Sequence, residues 1–200
     1  MKARNHDINS AENDEMRHGP TSYVEQNSGF VFDKIGLLPG HAFLDLGCGR
    51  GDYSLHASEI VGDDGVVLAV DKYDYITDDL AKWLKIHGVG NVRTMAADMT
   101  ERLDVGEVAF DSCMAATALY LLDLEKYGVH VFKKVRRLLK PGGVFAVIEF
   151  SMKDISYGPP LKARVAPEEF EALALEVGFA ESELHYLGNQ YLMLFRAPVA

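Results

Sequence analysis

The sequence has little of the chemistry that marks a secreted or a nucleic-acid-binding chain. Two cysteines, Cys48 and Cys113, occur in 200 residues; that excludes a disulfide framework and a zinc-finger ligand cluster, and it fits a reducing compartment. Positive charge is scarce, 20 lysines and arginines against 30 acidic residues for a net charge of -10, which speaks against a sequence-independent grip on phosphates. No apolar run approaches the roughly 18 residues of a membrane span, and the opening Met1–Ser10 lacks the apolar stretch of a secretory signal. A cytoplasmic protein without a nucleic-acid partner is expected. The histidines, His6, His18, His41, His56, His87, His130 and His185, form no His-x-x-x-His pair, so no catalytic metal is expected.

What remains is the balance of an ordinary globular protein, 48% hydrophobic and 25% charged. The length suits one well-buried core. Residues 1–21 are polar and broken at Gly19-Pro20, which predicts a mobile arm; residues 22–200 are expected to form a single domain. Apolar spacing predicts a helix from Ser22 to a stop at Pro39-Gly40. Short apolar runs at 42–46, 66–70, 92–95, 108–114 and 143–150 read as buried strands, and the stretches between several of them have helical spacing. That alternation predicts a Rossmann-like α/β fold, a seven-stranded and mostly parallel sheet. Ala166 to Gly178 reads as a helix, and the segments 183–187 and 190–195 around Gly188-Asn189 read as a hairpin that makes one strand antiparallel. Lys133, Lys134, Arg136, Arg137 and Lys140 read as a solvated basic face.

The run Asp45-Leu-Gly-Cys-Gly-Arg-Gly51 carries the functional signal. It joins the end of a strand to the start of a helix, and glycines there let a ligand approach backbone without meeting a β-carbon. A dinucleotide turn of Gly-x-Gly-x-x-Gly form, counted from Gly47 and Gly49, needs a glycine at position 52, where this chain has Asp52. A carboxylate at that helix start opposes a pyrophosphate but not a ligand bearing a sulfonium and an ammonium. A nicotinamide-dependent reductase is thereby disfavoured.

The run resembles the first motif of class I S-adenosylmethionine-dependent methyltransferases, and the resemblance extends over about residues 41–195. It implies S-adenosyl-L-methionine as cofactor, with Asp45 at its methionine end and Gly47, Cys48, Gly49 and Gly51 lining it. By the same resemblance Asp71 takes the ribose hydroxyls, Lys72 and Tyr73 lie beside the adenosine, and Asp98 and Met99 meet the adenine. The segment Phe110–Tyr120, with Ala115 on the cofactor, leads to the substrate side. Each acidic residue also has a plainer reading: Asp71 and Asp98 as strand-end turn caps, and Asp45 as a buried carboxylate that needs a partner. Cys48 reads as a small filler of the turn rather than a nucleophile.

Tyr120 and Glu149 are the acid–base candidates, with pocket wall and strand-end acceptor as their structural alternatives. The Asn/Asp-Pro-Pro-Tyr/Phe sequence of amino-group methyltransferases of nucleic acids is missing after Met114. The ending, from Gly158-Pro-Pro to Tyr191-Leu-Met-Leu-Phe-Arg, is similar to relatives of the ubiquinone/menaquinone biosynthesis C-methyltransferases. A small-molecule acceptor and a monomer or homodimer are therefore expected. A lid formed by residues 151–164 and by Tyr23, Phe30 and Phe32 is weighed against simple packing of those aromatics on the sheet. A binding module that keeps the cofactor without catalysis is the standing alternative.

Overall fold

A computed structural model describes residue 23 and residues 27–105 and 109–199. The expected arm over 1–21 lies outside these residues, as do Ser22 and Val24 of the first expected helix and Val108 of the expected fourth strand. The chain runs α1 (Ser28–Ile35), β1 (Ala42–Leu46), α2 (Asp52–Val61), β2 (Val66–Asp71), α3 (Asp74–His87), β3 (Val92–Ala96), β4 (Phe110–Ala116), α4 (Leu124–Leu138), β5 (Leu139–Phe150), α5 (Pro167–Val177), β6 (Glu181–Leu187) and β7 (Gln190–Arg196).

The strands form one sheet in the order β3-β2-β1-β4-β5-β7-β6. Pairing is parallel from β3 to β5 and antiparallel for β5–β7 and β7–β6, so β7 is the one reversed strand, as the hairpin predicts. Strand order turns back between β1 and β4. In open α/β sheets, ligands enter beyond the carboxyl ends of the strands at such a reversal.

Period-2 alternation divides the core in two. Leu44, Leu46, Cys113, Ala115, Phe145 and Val147 face one way, against Phe132 of α4 and Phe170 of α5. Phe43, Val67, Met114, Ile148 and Leu192 face the other, against α1, α2 and α3 through Phe32, Leu55 and Leu80. Burying each of these large side chains contributes roughly 1.5–3 kcal/mol relative to exposure.

Helix ends follow local chemistry. Asn27 caps α1 by accepting from the Phe30 N–H at 3.1 Å, and Gly36 in the left-handed region ends it. The helix therefore stops short of the expected Pro39-Gly40, and Leu37 turns inward. In α5, Pro167 stands in the first turn and Glu169 accepts from the Ala166 N–H at 2.9 Å. The expected fifth strand over 143–150 begins earlier, at Leu139, and takes in Pro141-Gly142-Gly143. Phe110 faces Leu139 and Ser112 faces Val144, so the Pro-Gly-Gly residues form a bulge within the strand.

The basic run is more engaged than a solvated face. Lys134 Nζ donates to the carbonyls of Met99 and Glu101, Arg136 to that of Gly178, and Lys140 pairs with Asp111 at 2.8 Å. Among the described residues no helix is long and apolar enough to cross a membrane.

Candidate active site

The turn after β1 is held by backbone before any side chain acts. The N–H groups of Gly47 and Cys48 both donate to the Val70 carbonyl, at 2.8 and 2.9 Å, and Gly51 N–H returns to the Cys48 carbonyl. Gly47 has φ +75°, and a Cβ there would stand 2.6 Å from that of Ala118. Only glycine lets the loop after β4 close on this strand end. At Gly49, φ +50°, a Cβ would meet nothing within 4 Å; it would project into open space along the cavity wall.

Asp71 ties the second strand to this turn. One carboxylate oxygen accepts from Gly49 N–H and the other from Tyr73 N–H, each at 3.1 Å. Each oxygen keeps a further lone pair for a hydroxyl. At the end of β3, Asp98 accepts from the N–H and hydroxyl of Thr100 and pairs with Lys72 at 2.9 Å. Burial works to raise the Asp98 carboxyl, but these donors outweigh it and hold it at about 2. Met99 lies against Gly47, its Cε 3.4 Å from where a Cβ would be. Tyr73 is exposed.

Asp45 is 1% exposed on the α2 face of β1, and its carboxylate accepts from Ser54 Oγ at 2.5 Å. Burial pushes its carboxyl up to about 7 despite that bond, with Asp71 and Asp52 adding to the rise. Burial, with Asp45 and Asp71 nearby, also pushes the Cys48 thiol well up. That is the filler reading of this cysteine, since a protonated thiol is a poor nucleophile.

Beside the turn lies a cavity of about 450 Å³. Gly47, Cys48, Gly49, Arg50 and Asp52 form one wall, with Tyr23 and Tyr53 next to them. Thr117, Tyr120, Phe150, Tyr157 and Gly158 stand among the residues of the other. Thr117 has φ +48°, a strained conformation for a β-branched residue and one typical of functional sites.

The Tyr120 ring meets Phe150 edge-on at 5.4 Å, and the backbone of Gly158 lies on the Phe150 ring, where a Cβ would come within 2.3 Å. Burial, with Glu149 and Tyr157 nearby, raises the Tyr120 hydroxyl above its ordinary value. Glu149 is fully buried behind this wall. Its Oε1 accepts from the N–H groups of Leu119 and Tyr120 at 2.9 and 3.0 Å, and burial lifts its carboxyl to about 8 against those bonds.

Segment 151–164 is built on Arg164, a residue the sequence did not single out. It is 7% exposed and donates to the carbonyls of Ser151, Asp154, Tyr157 and Pro159. Of the three aromatics expected in a lid, Tyr23 lines the cavity. Phe32 is in the core against Phe43, and Phe30 lies against His185. Ala115 points into the opposite core, and its neighbours Ala116 and Thr117 take the cavity wall. Gly51 packs on Leu80 of α3 rather than on the cavity. Tyr53, Arg50 and Gln190 line the cavity without having been foreseen as site residues; the helical spacing that put Tyr53 on α2 gave no sign of the cavity at its end.

The reversal of strand order, the antiparallel β7 and the glycine turn tied to Asp71 match the fold expected of the class I S-adenosylmethionine-dependent methyltransferases that the sequence resembles. A solved SAM-dependent methyltransferase from Aquifex aeolicus superposes with a TM-score of 0.78 at 21% identity, covering 90% of this chain and 93% of that one. The [4+2]-cyclase SpnF shares the fold at TM-score 0.71 and 18% identity, covering 86% and 80% of the two chains. The Methyltransferase domain family matches residues 43–143, half of the chain, and the protein belongs to that family.

By sequence it is 36% identical over 124 residues to the ubiquinone/menaquinone biosynthesis C-methyltransferase of Vibrio campbellii, covering 61% of this chain and 46% of the relative. It is 30% identical over 122 residues to the sterol 24-C-methyltransferase of Yarrowia lipolytica, covering 60% and 30%. The chain thus spans half or less of the length of these curated relatives. S-adenosylmethionine is the cofactor of the class. The residues present fit it: Gly49 leaves ligand space at the turn, Asp71 has acceptor capacity for a diol, and Asp52 denies the helix start to a phosphate.

Proposed function

We propose that this protein transfers a methyl group from S-adenosylmethionine to a compact organic acceptor held between the glycine turn and the Tyr120–Phe150–Tyr157 wall. The observation that carries this reading is the glycine turn, locked to Asp71 and open at Gly49 onto a cavity of about 450 Å³. In this reading residues 22–200 act as one domain. Gly47, Cys48, Gly49 and Gly51 shape the turn under the cofactor, and Asp71 takes the ribose hydroxyls. Lys72 and Tyr73 flank the adenosine, Asp98 and Met99 border the adenine, and Ala116 and Thr117, rather than the expected Ala115, back the site at the end of β4. A cytoplasmic monomer or homodimer completes the reading, in keeping with two buried free thiols.

When bound, the cofactor supplies a methyl group on a positively charged sulfur, which passes in line to an electron pair of the acceptor while the carbon–sulfur pair returns to sulfur. The protein's share is orientation and exclusion of water. Tyr120, its hydroxyl kept protonated, donates a hydrogen bond into the cavity and orients the acceptor. Glu149 does not line the cavity; it holds the backbone of Leu119 and Tyr120 and is a positioning residue.

The test is transfer of labelled methyl from S-adenosylmethionine to compounds of a small-molecule extract. Label is expected in at least one compound, at a rate lowered about tenfold or more by Tyr120→Phe. A second reading is a cofactor-binding module without methyl transfer, since a protein with this fold is a [4+2]-cyclase and the fold alone does not fix the reaction. Cofactor bound and intact, with no label moved to any compound, supports that reading instead.

A further inference from the structure

The resemblance gives the methionine end of the cofactor to Asp45, yet this carboxylate is poorly placed to meet a ligand. It is 1% exposed, accepts from Ser54 Oγ at 2.5 Å and is not part of the cavity wall. Its bond to Ser54 fastens α2 to β1.

The charged side chains on the wall, among the described residues, are Arg50 and Asp52. They flank the last glycine of the turn and the first turn of α2, with Arg50 Nε 3.6 Å from Asp52 Oδ2 and side chains 19% and 14% exposed. That separation exceeds the roughly 2.7–2.9 Å of a charge-assisted hydrogen bond. The two groups attract each other as an ion pair. A guanidinium and a carboxylate side by side on one wall are the chemical complement of an α-amino acid, which carries one carboxylate and one ammonium. The planar guanidinium favours the carboxylate in particular.

We infer that Arg50 and Asp52 clamp the amino-acid end of the cofactor, Arg50 holding its carboxylate and Asp52 its ammonium. This rests on the cofactor reading above. It moves the ammonium contact from the buried Asp45 to Asp52 and gives Arg50 a role where the sequence suggested none.

Two ligands separate the clamp from the rest of the site. S-adenosylhomocysteine carries the amino-acid group; 5′-methylthioadenosine keeps the adenosine and the sulfur but lacks it. Calorimetric titration of each into the full chain is expected to show Arg50→Ala and Asp52→Asn weakening S-adenosylhomocysteine by about tenfold or more, and 5′-methylthioadenosine by no more than about twofold. Arg50→Lys should recover part of the loss, because it keeps the charge and gives up the fork. Equal losses for both ligands would assign the two residues to the shape of the turn and overturn the clamp. Unchanged S-adenosylhomocysteine binding in Arg50→Ala, with Asp71→Ala still weakening it, would overturn the clamp and leave the cofactor reading standing. An unsubstituted protein that binds neither compound would bring down both.

Discussion

Gly47 and Gly40 have nearly the same backbone, φ +75° and +81°, but different surroundings: a Cβ at Gly47 would stand 2.6 Å from that of Ala118, and at Gly40 it would meet nothing within 4 Å. The left-handed conformation costs an alanine roughly 1–2 kcal/mol at either place. Overpacking adds to that at Gly47 alone, so Gly47→Ala is expected to lose at least about 1 kcal/mol more than Gly40→Ala. Urea midpoints check this, and equal losses would mean the turn does not close on Ala118.

A second residue-scale prediction concerns pH. Asp45 and Glu149 have folded values of about 7 and about 8, raised from 3.8 and 4.5. A raised value means the folded state keeps a proton that the unfolded state has released. The stability they contribute is complete below their ordinary range and is lost as pH rises through 7 and 8. Between about pH 5 and pH 7 each group should tilt stability by about 1.4 kcal/mol per pH unit. Glu149→Gln, which still accepts from Leu119 and Tyr120, should flatten this slope; Glu149→Leu strands two buried N–H groups at about 1–3 kcal/mol each. Urea unfolding at several pH values decides it, and an unchanged slope in Glu149→Gln refutes the assignment. The carboxylates at 45, 71 and 98 were legible in the sequence. The Ser54 partner of Asp45 was not, because it depends on which face of α2 meets β1. Ala115 was chosen over Ala116 for a similar reason: one step along a strand reverses the face, and the motif does not state the register.

Among the elements, segment 151–164 is the least regular and the most dependent on one side chain. Four of the five guanidinium donors of Arg164 go to carbonyls of its own segment, so Arg164→Ala leaves those carbonyls to water. Faster amide exchange is expected across 151–164, with β1, β4 and β5 unchanged. Protection undisturbed in the segment would show that Phe150 and the β7 side hold it without the arginine. The sequence marked this stretch as a lid but not its keystone, since an arginine in a polar loop has no periodicity to betray burial. Strands and long helices were legible because apolar period and length agree there. The start of β5 was not, because Pro141-Gly142-Gly143 has turn composition and yet sits in a bulge that keeps the strand paired with its neighbours. The end of α1 was set by Gly36, one turn before the proline that drew attention.

At the scale of the molecule, the sheet order places three carboxylates and a glycine turn at one edge. The fold was legible there because α/β alternation and a terminal hairpin leave few topologies. Strands β1, β2 and β3 deliver Asp45, Asp71 and Asp98 to neighbouring ends, and β4 and β5 deliver the aromatic wall opposite. Of the cavity's aromatics, Tyr23 and Tyr120 were singled out in the sequence, but Tyr53 and Phe150 were not, since these residues lie far apart in the chain and meet only through the sheet. The central claim is that this edge is a site for S-adenosylmethionine. Calorimetric titration with S-adenosylhomocysteine tests it most directly, with NADH as the control. One molecule is predicted to bind per chain, with Asp71→Ala weakening binding by about tenfold or more for a lost charged hydrogen bond and no heat from NADH. Heat from NADH and none from S-adenosylhomocysteine would contradict the account.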